Sequence, residues 1–201
     1  MEADNIDGKK EPKRLPVWAC IPLFIVVLFI FIGLYGTLVS GGLSLVLGVE
    51  ARHPGVVGYI FVEGSMLLAV LTAAIILLRL ERRPFSDLGL SLKGHASGLW
   101  YGLLMAILLY LLGFGISVVL GEIEVTGFQF KPLDLLGSWV FFLLVALFEE
   151  ILMRGYILGR LLHTNMNKFL ALFISSALFA FMHIFNPEIA WFFFKFRAVL
   201  F

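Results

Sequence analysis

Two adjacent glutamates and an arginine sit inside one of the most apolar runs of the chain, "LFEEILMRGY", residues 147–156. Glu150 and Arg154 are four residues apart, so on a helix they share a face and can form an ion pair. Glu149 is one residue back, rotated by about 100° on a helix of 3.6 residues per turn, and so faces a different neighbour. One carboxylate is then compensated by the arginine while the other is open to take a proton, a division suited to a general base. A charge at bilayer depth costs roughly 2.5–3.5 kcal/mol on insertion scales. Such a cluster needs a partner, a water-filled cavity or a function. His183, in the next apolar run, is the natural partner. Measured from inner edges at Arg160 and Phe169, Glu149 and His183 lie about 16 and 21 Å up two antiparallel helices. A difference of about 5 Å, at 1.5 Å of rise per residue, lets the two side chains hold one water.

The elements that must position these groups are membrane helices. The 201 residues are 61% hydrophobic and 14% charged, more apolar surface than a soluble domain of this size can hide. Five apolar runs are expected to form helices, at about residues 17–40, 56–78, 99–120, 136–158 and 169–185. The fold class is therefore all-α, a polytopic transmembrane helical bundle of about five spans. Lys9, Lys10, Lys13, Arg14, Arg79, Arg82, Arg83, Lys93, Arg154, Arg160 and Lys168 all fall on one side if the N-terminus is cytoplasmic. The opposite loops hold only Arg52 and Lys131. The bias places the N-terminus inside, in a multi-pass protein of the cell membrane. Residues 1–15 read as a polar cytoplasmic tail, and 16–96 as N-terminal transmembrane helices and loops.

Composition also narrows the function. A net charge of +1 and no basic stretch with interleaved aromatics exclude nucleic acid as a partner. The partners expected from composition are membrane lipids. Cys20 is the single cysteine and packs as a small apolar residue, so no disulfide and no cysteine metal site is expected. No H-E-x-x-H occurs, and all four aspartates fall in loops or the tail, which argues against zinc-helix and aspartyl intramembrane proteases. Without a visible internal repeat, an inverted-repeat transporter gains no support. Glu63 receives no role, His163 is expected in solvent, and Asn186 in the turn before Pro187. "GHASG", residues 94–98, reads as the start of the third helix.

"EEILMR" matches an E-E-x-x-x-R pattern, followed by Gly155 and Tyr156, and "FAFMH", residues 179–183, matches F-x-x-x-H. In this order on consecutive helices the pair resembles the CPBP family of intramembrane proteases. That family includes type II CAAX prenyl proteases and proteins linked to bacteriocin processing. The resemblance covers residues 97–187, a partial catalytic core, and implies an intramembrane endopeptidase whose partner is a membrane-associated peptide or protein substrate. It casts Glu149 as the base that activates a water, with His183 helping to hold it. Glu150, Arg154 and Phe179 take supporting places, Phe179 chiefly by packing. No cofactor is required by this mechanism. If a metal such as zinc is used, the ligands on offer are Glu149, Glu150 and His183, and a zinc site normally takes three protein ligands.

The resemblance also implies a late H-x-x-x-N/D motif that completes the site and stabilises the oxyanion. After "NPE" this sequence has only "IAWFFFKFRAVLF", an apolar tail at residues 188–201. The expectation is a truncated chain, and loss of one oxyanion donor typically costs about a hundred- to a thousandfold in rate. Two other readings share these residues. One is a proton- or cation-coupled transport component using the glutamate pair. The other is a non-catalytic remnant of the protease fold.

Overall fold

A computed structural model describes residues 16–47, 55–91, 94, 96–127 and 131–184. The described residues are helical, with no strand. In chain order they form α1 (Val17–Leu47), α2 (Gly55–Leu80), a 3-10 turn (Phe85–Leu88), α3 (Ala96–Val119) and α4 (Pro132–Glu149). Without a break, α4 continues as a π-helical segment (Glu150–Leu158) and a last α-helical turn, α5 (Gly159–Leu162). A short connection leads to α6 (Lys168–His183). The expected tail at residues 1–15, Arg52, Lys93, His95, Asn186 and residues 188–201 lie outside the described residues.

Among the described residues, four helical stretches are long and apolar enough to cross a membrane: Val17–Val46, Gly55–Leu80, Ser97–Val119 and Pro132–Leu162. The fifth expected span corresponds to α6, whose 16 residues reach about 24 Å at 1.5 Å each. The helical ends differ from expectation mainly at α1, which runs on through the Gly-rich stretch to Leu47, and at α4, which starts at Pro132. Pro132 suits a first helical position, where its missing N–H is no loss. Asp134, expected in a loop, thereby falls in the first turn of α4.

α2 is the centre of the bundle, packed against α1 on one side and α4 on another. Its buried face carries Ser65, Ala69 and Ala73 at intervals of four, with Val70, Ala74 and Leu77 beside them. Small residues at that spacing let helix backbones approach closely where burial of apolar surface gives little drive. From α4, Gly137 meets Val56 of α2 so closely that an added methyl would stand 2.6 Å from the valine Cγ1. One turn on, Tyr59 of α2 meets Phe141 of α4 edge-on at 6.1 Å, so the two helices run parallel. Cys20 is fully buried in α1, as expected for a small apolar residue. None of the most apolar part of α3 is buried, leaving its large side chains outward as a lipid-facing helix would.

α6 is set on the π-helical segment by Ala171 and Ser175, its two buried residues. The Ser175 hydroxyl donates to the Met153 carbonyl at 3.3 Å. At its start, the Asn167 side chain accepts the Phe169 N–H at 2.8 Å and caps the helix.

Candidate active site

Glu149 is the last residue of α4, at the point where the α-helical ladder gives way to i→i+5 bonding. His183 closes α6. The crossing of α6 over the π-helical segment brings His183 Nε2 to 3.4 Å from Glu149 Oε1. Both side chains are about one-third exposed, so neither is sealed from water.

The imidazole is oriented from its own helix. Its Nδ1 lies 2.9 Å from the Phe179 carbonyl oxygen. A carbonyl only accepts, so Nδ1 carries the proton and donates it. The Phe179 ring also lies against the imidazole, with centroids 4.3 Å apart. The F-x-x-x-H spacing thus acts through one helical turn, by carbonyl and ring together. In the neutral imidazole Nε2 then presents a lone pair to Glu149. A lone pair facing a carboxylate oxygen at this range calls for a proton between them, carried by the pair or by a water.

Glu150 turns away from this pair and binds Arg154 Nη1 through Oε1, the ion pair expected from the spacing. Both are well exposed, 49% and 73% at the side chain, and with Glu149 they line a cleft of about 180 Å³. Met153, Leu172 and Phe179 give it an apolar wall, and Ser175 and Ser176 add hydroxyls from α6. The structure therefore brings Glu149, Glu150, Arg154 and Phe179 around one cleft, with His183 on Glu149 at its edge.

Among the described residues three protein ligands for zinc are not assembled. Glu149 and His183 converge but Glu150 is engaged by Arg154. Among the described residues no group of three His, Cys, Asp or Glu side chains could hold a metal. These donors do not fit zinc.

Several residues near the site were given other places by the sequence. Arg160, counted among charges at the inner edge, is 4% exposed and forms an ion pair with Glu81, itself 4% exposed. Tyr156 is fully buried and donates its hydroxyl to Glu81 at 2.7 Å. Arg83 joins the same group, 3.9 Å from Glu81 and 3.2 Å from Asp87. His163, expected in solvent, is half-exposed and lies 3.8 Å from Asp87. The signal for part of this was the spacing of four between Tyr156 and Arg160, which puts both on one side of a helical segment. Glu63 is half-buried on α2, and Glu149 acts on it electrostatically. The α2–α4 register explains this, since it sets Glu63 about 7 Å along the axis from Glu149, towards the start of α4.

Comparison with known proteins bears on the same segment. Residues 131–201 match the family model described as type II CAAX prenyl endopeptidase Rce1-like. No curated protein and no solved structure matches the chain. The match spans both the E-E-x-x-x-R and the F-x-x-x-H segments, and covers the helices that carry Glu149 and His183. Over residues 131–201 the chain is therefore similar to the type II CAAX prenyl endopeptidase Rce1-like family, which agrees with the resemblance to the CPBP family read from its motifs.

Proposed function

We propose that the chain is an intramembrane endopeptidase of the CAAX-protease or bacteriocin-processing type, and that Glu149 is its general base. The observation that carries this reading is the approach of His183 Nε2 to Glu149 Oε1 at 3.4 Å beside an open cleft. A water held by the pair loses a proton to Glu149 as its oxygen attacks the peptide carbonyl. The C–N bond then breaks, and the same proton passes from Glu149 to the leaving amine. His183 is kept in one tautomer by the Phe179 carbonyl, so Nε2 stays directed at the water and the carboxylate. Glu150 and Arg154 neutralise each other at the cleft and leave Glu149 as the carboxylate without an arginine among the described residues.

The substrate in this reading is a short, membrane-bound or lipid-anchored peptide segment, entering a cleft between helices whose outer surfaces face lipid. The protein sits in the cell membrane with its N-terminus inside. Reconstitution in lipid nanodiscs with a library of lipid-anchored peptides, read by mass spectrometry, tests the proposal. Glu149→Gln and His183→Ala are each expected to leave at most about 1% of wild-type turnover, the scale of a lost acid–base group. Treatment with a strong zinc chelator is expected to leave the rate within about twofold, since a zinc site wants three ligands. Turnover that survives both substitutions would remove the proposal. Loss on chelation with recovery on zinc would replace the metal-free mechanism.

A further inference from the structure

We propose that Glu81 is a positioning residue for this site: through Tyr156 and Arg160 it clasps the π-helical segment and fixes the direction in which Glu149 faces. The inference rests on the peptidase reading above, but its structural half does not.

A π-helical turn holds one residue more than an α-helical turn, and such stretches are rare unless the surroundings impose them. If Glu150–Leu158 relaxed to an α-helix, residues after it would rotate about 100° relative to Glu149 for each residue of register lost. Both ends are held, and by the same helix. At the start, Gly137 and Phe141 of α4 sit on Val56 and Tyr59 of α2. At the far end, the Glu81 carboxylate just beyond α2 takes Tyr156 on Oε1 and Arg160 on Oε2. Relaxation could keep one contact or the other, not both.

The connector after α2 is shaped to make this grip. Arg83 N–H returns to the Leu78 carbonyl at 2.8 Å and Arg82 N–H to that of Arg79 at 3.1 Å, the two bonds of a Schellman ending. Its left-handed position, where glycine is usual, is occupied by Arg82 at φ 55°. The following 3-10 turn lies directly on the π-helical segment. A methyl on Gly155 would come within 3.1 Å of the Leu88 carbonyl, and one on Gly159 within 3.5 Å of the Asp87 carbonyl. Tyr156 is further fixed by stacking on Phe24 of α1 at 3.9 Å. Glu81 faces both Arg83 and Arg160 while Asp87 faces Arg83, so without Glu81 the buried Arg160 would lose its carboxylate.

The test uses purified full-length protein in nanodiscs: wild type, Tyr156→Phe, Glu81→Gln and the double variant Glu81→Gln/Arg160→Gln. Tyr156→Phe keeps the ring on Phe24 and removes only the bond to Glu81, so it remains informative if Glu81→Gln fails to fold. Hydrogen exchange is read over residues 147–158, and kcat and KM on a cleaved peptide. Tyr156→Phe is expected to exchange faster in that segment but not in α1. Its kcat should fall about tenfold with KM within about twofold, as a misplaced catalytic group does. The double variant should recover part of the loss caused by Glu81→Gln. Unchanged exchange in Tyr156→Phe and in the double variant overturns the clasp. Faster exchange with an unchanged kcat overturns the positioning role. If wild type cleaves nothing, the peptidase reading fails, and exchange alone decides whether Glu81 sets the helix register.

Discussion

His183 receives its direction from the turn of helix that carries it, with the Phe179 carbonyl on Nδ1 and the Phe179 ring against the imidazole. These two supports separate on mutation. Phe179→Ala removes the ring and keeps the carbonyl, so kcat/KM should fall only about three- to tenfold, far less than the loss of an acid–base group. Steady-state kinetics on a cleaved peptide checks this, and a drop equal to that of His183→Ala would give the ring the larger share. Arg82 is a second residue-scale case. It holds a left-handed conformation that costs an L-residue roughly 1–2 kcal/mol, and none of the ion pairs among the described residues involves it. Arg82→Gly should therefore stabilise the protein by about 1 kcal/mol once glycine's greater freedom in the unfolded chain is set against the relief. A thermal melt in detergent reads the sign. The E-E-x-x-x-R and F-x-x-x-H spacings were legible because each acts within one helical turn. The grip of Glu81 was not, because its partners lie 75 and more residues away and only packing brings them together.

At the scale of elements, the π-helical segment is what an apolar pattern could not reveal. Period and hydropathy continue smoothly through residues 136–158, and the extra residue per turn leaves no mark on either. What does leave a mark is glycine, at Gly137 against α2 and at Gly155 against the connector. Gly137→Leu should force α4 away from Val56 and shift Glu149 with it. The expected cost is about 1–3 kcal/mol, the range for an overpacked contact, measured as a lower melting temperature with a lower kcat. Gly155→Ala meets a backbone carbonyl that cannot swing aside, so its effect should fall on the same segment. The short α6 was placed correctly by its apolar run, while its docking through Ala171 and Ser175 depends on the partner surface and had no sequence period of its own.

For the whole molecule, composition alone was enough to indicate a helical bundle built for lipid, and the four long apolar helices agree. The route of the chain explains the rest: α2 touches α4 near its beginning and the π-helical segment near its end, so one helix sets both the depth and the rotation of the glutamate pair. The central claim is that a water activated by Glu149 at His183 opens a peptide bond. It is tested most directly by hydrolysis in ¹⁸O-water by the purified protein, wild type beside Glu149→Gln. The account predicts one ¹⁸O in the new carboxyl terminus with wild type and at most about 1% of that turnover in the variant. Equal labelled turnover in both proteins, or none in wild type, would contradict it.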